Sequence, residues 1–272
     1  MGCIGIFDSG YGGLSIFGKI REALPQYDYI YLGDNARAPY GTRSFEVVCR
    51  FTRQAVMKLF AEGCNLVILA CNTASAKALR SIQQKDLPLL DPALRVLGVI
   101  RPTVEVIDSI SRSKHVGILG TSGTIASESY TIEIKKFFPH ITVTGEACPM
   151  WVPLVENNEF ASPGADYFVR KHLEHILSLD PAIDTLVLGC THYPLLLDKI
   201  KAFIPPGITL FSQGERVAES LADYLARHPE MDERLGKEGA RRFLTTESAD
   251  KFAETASLFL DLPLEVEQIT LH

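Results

Sequence analysis

Short apolar runs alternate with longer amphipathic segments along most of this chain. The apolar runs predict β-strands, and segments with apolar residues at helical spacing predict the helices between them. Strands are predicted over 3–7, 28–32, 66–70, 95–100, 115–120, 141–145, 185–189, 208–211 and 241–246. Helices are predicted over 43–61, 124–137, 165–178 and 214–227. This alternation is typical of an α/β fold with mainly parallel sheets that helices cover on both faces.

The pattern of strands and helices repeats once along the chain. IGIFDSG (4–10) aligns with VGILGTS (116–122), and LVILAC (66–71) aligns with TLVLGC (185–190). The similar offset of the two alignments indicates two related α/β units of roughly 110 residues. The segment beyond about residue 228 has no counterpart in the other unit.

Two cysteines occupy equivalent strand-to-helix turns of the two units. Cys71 follows one predicted strand and Cys190 follows its counterpart. Ligands of parallel α/β sheets bind beyond the carboxyl ends of the strands, where helix N-termini present free N–H groups. If the units face each other, the two thiols enter one cleft from opposite sides. A single cysteine at a strand end is more often structural, but this pair favours a functional interpretation.

Such a pair of thiols suits proton transfer at a carbon centre. Inversion needs a base on one face and an acid on the other, and the roles exchange for the reverse reaction. A neighbouring base or a helix N-terminus can lower the pKa of a thiol. His192 follows Cys190 by two residues, and Asp8 ends a strand expected beside the Cys71 strand.

Hydroxyl groups near the same turns complete this hypothesis. A carbanion beside an ionised carboxylate develops enediolate charge, which hydrogen-bond donors must stabilise. Thr73, Thr121 and Thr191 follow predicted strands and can supply such donors. One alternative stays open, in which Cys71, Cys190 and His192 ligate catalytic zinc, although their spacing gives no local support for it.

Composition and charge argue against several classes of protein. The chain has 272 residues and a formal net charge of −6, so it carries no electrostatic signature of nucleic-acid or anionic membrane binding. No apolar run approaches the roughly 18–20 residues of a membrane span, and no signal or transit peptide precedes the first predicted strand. Six cysteines without a CxxC pair indicate free thiols in a reducing cytoplasm.

Six segments of the chain carry a resemblance to a known family. They are GIFDSGYGGLS (5–15), YLGDNARAPYG (31–41), ACNTASA (70–76), GILGTSGTI (117–125), ACPMWVPLVE (147–156) and LGCTHYPLL (188–196). In this order and spacing, over nearly the whole chain, they resemble the glutamate racemases of the cofactor-independent aspartate/glutamate racemase superfamily. The resemblance implies that the enzyme interconverts L- and D-glutamate without cofactor or metal and supplies D-glutamate for peptidoglycan in a bacterial cytoplasm.

The resemblance also implies the architecture of the protein. It implies two pseudo-symmetric α/β domains with the active site in the cleft between them. Residues 1–97 plus 209–272 would form the first domain, and residues 98–208 the second. Relatives are often dimers, so a homodimer is possible, and the small-molecule substrate is the partner that the resemblance implies.

Residue roles follow from the same resemblance. Cys71, assisted by Asp8, would take the α-proton from D-glutamate. Cys190, assisted by His192, would take it from L-glutamate, and Glu156 matches a further acidic residue near the site. The positions that would hold the substrate are Asp8, Ser9, Tyr40, Gly41, Asn72, Thr73, Thr121, Thr191 and His192.

Some positions depart from the family pattern. Arg101 stands where members vary, often with an acidic or neutral residue, and Ser212-Gln213 replaces a common Asp-Ser. We also expect no regulatory N-terminal extension, because the chain starts directly at its first strand. Two alternatives remain: a sibling racemase that acts on aspartate or another amino acid, and a two-lobed protein that only binds a small anion.

Overall fold

The computed structural model describes residues 1–260 and 264–272. Its strands form a six-stranded and a four-stranded sheet, and all of their pairings are parallel. The strands are β1 (Cys3–Asp8), β2 (Tyr29–Gly33), β3 (Cys64–Leu69), β4 (Arg95–Gly98), β5 (His115–Gly120), β6 (Thr142–Ala147), β7 (Thr185–Gly189), β8 (Thr209–Phe211), β9 (Arg241–Thr245) and β10 (Val266–Gln268). The fold class is therefore the predicted α/β class with parallel sheets.

Helices connect the strands, as parallel pairing requires. They are α1 (Gly13–Ala23), α2 (Phe45–Ala61), α3 (Asn72–Lys77), α4 (Leu79–Ser81), α5 (Ile100–Ile110), α6 (Ser122–Ala126), α7 (Ser129–Phe137), α8 (Trp151–Glu156), α9 (Pro163–Leu179), α10 (Leu197–Phe203), α11 (Gly214–Arg227), α12 (Pro229–Asp232) and α13 (Ala249–Ala256). Within the described part of the chain, none of them is long and apolar enough to cross a membrane.

The order of the strands places the two cysteine turns at equivalent positions. The larger sheet runs β10-β9-β2-β1-β3-β4, and the smaller one runs β6-β5-β7-β8. In each sheet the strand before the cysteine, β3 or β7, pairs with the first strand of its unit, β1 or β5. The C-terminal segment returns to the first unit, because β9 pairs with β2. The division into a domain of residues 1–97 plus 209–272 and a domain of residues 98–208 stays a prediction. The strand β8, which starts at the predicted boundary, pairs with β7 of the smaller sheet.

Each sheet has an apolar core on both faces. Successive side chains of a strand point to opposite faces, so Ile4 and Ile6 of β1 pack with α1 and α11, whereas Phe7 packs with α2. In the smaller sheet, Leu186 of β7 packs with α9, and Val187 packs with α5 and α7. Burial on both faces explains why these strands read as continuous apolar runs.

The predicted strands are all present, with their ends shifted by two residues or fewer. The helix predicted over 124–137 is instead divided into α6 and α7. The reason is Glu128, whose φ of 53° lies in the left-handed region and interrupts the helix. The strand β10 was not predicted, because Val266–Gln268 is too short to show a periodic pattern.

The core of the smaller sheet gives a first testable prediction. Leu186 is fully buried in β7, which ends next to Cys190. Leu186→Ala should lower the free energy of unfolding by about 2–5 kcal/mol, because the truncation loses apolar burial and leaves a cavity. Leu179→Ala removes the same atoms from a side chain that is 56% exposed, so it should change stability by about 0.5 kcal/mol or less. Urea unfolding measures both, and equal losses would contradict this description of the core.

Candidate active site

The carboxyl ends of the two sheets face each other across one cleft. Direct hydrogen bonds span it: the Thr73 and Thr121 hydroxyl oxygens lie 2.9 Å apart, and the Gly123 N–H donates to the Gly41 carbonyl at 2.7 Å. The cleft holds about 620 Å³ of empty space, its open mouth included.

The structure brings the predicted site residues together in this cleft. The predicted residues that line it are Ser9, Tyr40, Gly41, Cys71, Asn72, Thr73, Thr121, Glu156, Cys190, Thr191 and His192. Asp8 lies behind the lining and is fully buried. The further lining residues, which were not among the predicted site residues, are Pro39, Thr42, Ser122, Pro149, Val152 and Pro153. Thr42 directly follows Gly41, and Ser122 directly follows Thr121. Their position next to predicted site residues could therefore have indicated that they line the cleft.

Cys71 lies at the N-cap of α3, directly after the end of β3. Its sulfur accepts a hydrogen bond from the Ala74 N–H at 3.4 Å and lies 3.4 Å from the Ser9 hydroxyl oxygen. Burial, together with the negative charge of Asp8, raises the pKa of the Cys71 thiol to about 12. Cys71 is therefore held as the neutral thiol, the form that can donate a proton.

Asp8 is predicted to assist Cys71, and it lies buried near that thiol. Its carboxylate accepts a hydrogen bond from the Gly10 N–H at 2.9 Å, and the other oxygen has no hydrogen-bond partner within residues 1–260 and 264–272. Burial raises the pKa of Asp8 itself. In its charged form Asp8 raises the pKa of Cys71, because a carboxylate near a thiol disfavours the thiolate. Its role in assisting Cys71 stays a prediction.

Cys190, His192 and Glu156 form a polar chain on the other side. The Cys190 sulfur lies 3.8 Å from His192 Nδ1, and His192 Nε2 lies 3.1 Å from a Glu156 oxygen. Burial by itself would lower the pKa of His192, but the hydrogen bonds to Cys190 and Glu156 outweigh it and raise this pKa to about 10. The raised pKa favours the protonated, imidazolium form of His192 at neutral pH.

The loop after β2 brings Tyr40 and Gly41 to the cleft. The Tyr40 hydroxyl donates to Asp34, which also binds the Arg37 guanidinium at 2.7 Å. Tyr40 therefore offers the cleft its ring and backbone, since Asp34 already takes its hydroxyl proton. Gly41 allows a close approach, because a Cβ there would lie only 2.7 Å from the Cβ of Thr121.

The remaining polar lining residues are fixed by the turns that carry them. Thr121 is the N-cap of α6, and its hydroxyl accepts from the Thr124 N–H at 3.2 Å. Thr191 is held through its carbonyl, which accepts from the Ser15 hydroxyl at 3.0 Å. Within the described residues, no group of three or more His, Cys, Asp or Glu side chains is arranged to hold a metal ion.

Comparison with known proteins agrees with this fold. The sequence profile of the Asp/Glu/Hydantoin racemase family matches residues 4–221. A glutamate racemase from Shouchella clausii is 40% identical over 260 residues, which cover 95% of this chain and 90% of that protein. A crystal structure of a glutamate racemase isoform from Bacillus anthracis superposes with a TM-score of 0.90 at 33% identity and covers 99% of this chain and 98% of that one.

A second solved structure adds a bound amino acid. It is a glutamate racemase from Francisella tularensis in complex with D-glutamate, with a TM-score of 0.87 and 30% identity, covering 99% of this chain and 97% of that one. The parallel α/β fold and the cleft between two thiols define a protein of the racemase class. The chain belongs to the Asp/Glu/Hydantoin racemase family, and it is therefore an isomerase.

The raised pKa of His192 makes stability depend on pH. Between an ordinary pKa of about 6.5 in the unfolded chain and about 10 in the folded state, only the folded protein holds this proton. The stability that His192 contributes is therefore complete below about pH 6.5 and is lost as the pH rises through 10. In thermal unfolding from pH 6 to 10, the advantage of wild type over His192→Gln should shrink as the pH rises. A constant difference would contradict the assignment.

The charge of Asp8 predicts a second pH effect. Asp8→Asn keeps an oxygen for the Gly10 N–H but removes the negative charge beside Cys71. The pH at which iodoacetamide alkylates Cys71 should therefore move to lower values, as peptide mass spectrometry can measure. Asp198→Asn, at an exposed position of α10, is the control and should leave the profile unchanged. An unchanged profile in Asp8→Asn would show that burial alone sets the Cys71 pKa.

Proposed function

We propose that this protein is a glutamate racemase, which interconverts L- and D-glutamate by proton transfer between two cysteines without a cofactor. The names of its relatives and of the solved structures it resembles support glutamate as the substrate. The observation that carries the proposal is the cleft lining, in which Cys71 and Cys190 enter from the two units. Either thiol alone would be unremarkable, but inversion of a carbon centre requires a proton acceptor and a proton donor on opposite faces.

The reaction balances with these two groups alone. One cysteine thiolate accepts the α-proton of glutamate, and the electron pair of the broken C–H bond delocalises into the α-carboxylate as an enediolate. The other cysteine then donates its S–H proton to the opposite face of the α-carbon. The enantiomer leaves, and the two cysteines have exchanged protonation states, ready for the reverse direction.

The surroundings of the two thiols support distinct roles for them. His192 Nδ1 lies 3.8 Å from the Cys190 sulfur, so His192 is placed to take the proton of that thiol. Burial and Asp8 favour the neutral thiol at Cys71, which can donate a proton. In the direction from L-glutamate, Cys190 is the base and Cys71 is the acid. For D-glutamate, the two roles reverse.

Neutral hydrogen-bond donors in the cleft suit the substrate's two carboxylates. Among the described residues that line the cleft there is no lysine or arginine, whereas Ser9, Asn72, Thr73, Thr121 and Thr191 contribute hydroxyl or amide groups. Those donors that contact the α-carboxylate stabilise the charge that develops there during proton removal. Asp8 lies behind this lining, fully buried, and one of its oxygens has no hydrogen-bond partner among the described residues. Its predicted contact with the substrate's ammonium group requires the lining in front of it to open.

The role of the reaction follows from its product. We propose that the enzyme supplies D-glutamate for bacterial peptidoglycan in the cytoplasm. A strain that depends on this gene should require D-glutamate in the medium when the gene is depleted, and normal growth and cell shape without it would contradict the role.

Racemisation in heavy water tests the mechanism. With L-glutamate in D₂O, proton NMR and chiral analysis should show that newly formed D-glutamate carries deuterium at the α-carbon, because a different group delivers the proton. Cys71→Ser and Cys190→Ser should each lower kcat for racemisation by about 10²–10⁴-fold. Cys49→Ser, at a half-exposed position of α2 away from the cleft, is the matched control and should retain wild-type activity.

Other outcomes of these experiments would favour a different mechanism or one of the alternative functions. Product that retains the substrate's own proton would indicate one base and overturn the two-cysteine mechanism. Activity with aspartate and none with glutamate would assign the protein to a sibling racemase. Binding of glutamate without loss of its α-proton would indicate a protein that only binds the amino acid.

A further inference from the structure

Gln213 occupies a buried position between the two sheets. It lies in the connection from β8 to α11, at one of the positions that depart from the family pattern, and only 3% of it is exposed. A buried amide is costly unless its donors and acceptor are hydrogen-bonded. The partners of Gln213 therefore indicate what this residue does.

The backbone carbonyl of Val99 fixes which way the Gln213 amide points. A carbonyl oxygen only accepts hydrogen bonds, so the group 3.0 Å from it must be the amide nitrogen of Gln213. That nitrogen also lies 2.9 Å from the Thr103 hydroxyl and 2.7 Å from the Tyr130 hydroxyl. The amide oxygen of Gln213 must then face the other way, toward Asn72.

A closed ring of three hydrogen bonds follows from this orientation. The Asn72 amide nitrogen donates to the Gln213 oxygen at 2.7 Å. The Tyr130 hydroxyl donates to the Asn72 oxygen at 2.7 Å and accepts from the Gln213 nitrogen. Every member is buried, so the ring leaves Asn72 a single satisfied orientation. Rotation of the Asn72 amide by 180° would place its oxygen against the Gln213 oxygen, which cannot donate, and its nitrogen against the Tyr130 hydroxyl, which already donates in the ring.

The ring lies where the chain passes between the two sheets. Val99 joins β4 of the larger sheet to α5, and Gln213 joins β8 of the smaller sheet to α11. Tyr130 comes from α7, beside the smaller sheet, whereas Asn72 directly follows Cys71 and lines the cleft. The two connections between the sheets, at Val99 and at Gln213, are thus hydrogen-bonded to each other and to Asn72, which follows the proposed catalytic Cys71.

We propose that Gln213 is a positioning residue that fixes the side-chain amide of Asn72 for binding a substrate carboxylate, an inference that rests on the proposed racemase function. The amide of Asn72 uses one N–H and one lone pair in the ring, which leaves its second N–H free to donate. The ring determines that a donor, rather than the amide oxygen, is presented to the cleft.

Replacement of Gln213 by methionine tests this role. Gln213→Met keeps the length of the side chain but removes its amide. The KM for both glutamate enantiomers should rise about tenfold or more, since the buried Asn72 and Tyr130 groups lose a partner, whereas kcat should change less than about threefold. A change in KM without a change in kcat indicates the loss of an interaction that stabilises the bound substrate and the transition state equally.

Thr103→Val is the matched control. Thr103 is equally buried and touches the same Gln213 nitrogen, but it lies outside the ring. Its replacement leaves the Val99 carbonyl and the Tyr130 hydroxyl as acceptors for the two N–H groups of Gln213, so KM should stay within about twofold of wild type. A tenfold rise in KM in Thr103→Val would indicate general sensitivity of this region and overturn the proposal.

A double-mutant cycle tests the ring itself. Tyr130→Phe should raise KM to a similar extent, and Gln213→Met combined with Tyr130→Phe should be little worse than either change alone, because one break opens the ring. Effects that multiply in the double variant would contradict a shared ring. An unchanged KM in Gln213→Met, with wild-type protein racemising glutamate in the same assay, would overturn the proposal without affecting the proposed function.

A second measurement does not depend on the activity. In protein labelled with ¹⁵N-asparagine, the side-chain N–H of Asn72 that donates to Gln213 should exchange slowly with solvent in wild type and in Thr103→Val. In Gln213→Met it should exchange at least about tenfold faster. Fast exchange in wild type would show that the ring does not form. If wild type does not racemise glutamate, the proposed function fails, and this exchange still decides whether Gln213 orients Asn72.

Discussion

Parallel pairing is the constraint on which the rest of this structure depends. A parallel strand cannot return through a short hairpin, so the chain must cross over the sheet, here mostly through a helix, before the next strand begins. The described strands of both sheets pair only in this way, which collects all of their carboxyl ends at one edge. The turn after β3 and the turn after β7 therefore lie at corresponding places, and two sheets that face each other bring Cys71 and Cys190 into one cleft.

The two chemically identical thiols have different surroundings. Each cysteine is only 6% exposed, so neighbouring buried groups surround both of them. Cys71 has the carboxyl group of Asp8 nearby, and Cys190 has His192, which is hydrogen-bonded to Glu156. The pseudo-symmetric fold places the thiols equivalently, and residues that do not match between the two units, Asp8 and His192, give them different neighbours.

Local patterns were enough to predict nine of the ten described strands and the two cysteine turns, whereas Tyr40, Gly41 and Glu156 were predicted only from the resemblance to the racemase family. A cysteine after a buried strand and before a helix is readable from neighbouring positions, and this holds for both turns. The ring around Asn72 is not readable in that way, because Asn72 and Gln213 lie 141 positions apart and no periodic pattern pairs them. The pKa of the Cys71 thiol is not readable from spacing either, because burial and the nearby carboxyl group of Asp8 set it.

The contacts across the cleft differ in kind from those within each unit. Apolar clusters hold the sheets to their helices, and Phe259 packs against a cluster of each sheet, whereas hydrogen bonds such as those between Thr73 and Thr121 or between Gly41 and Gly123 span the cleft. A hydrogen bond contributes only about 0.5–1.5 kcal/mol net, so these contacts can open at small cost while the cores stay intact. The threonine hydroxyls that bond to each other are also proposed donors to the substrate. A bound carboxylate would therefore exchange one set of hydrogen bonds for another, and the cleft can admit a charged substrate without leaving polar groups unpaired.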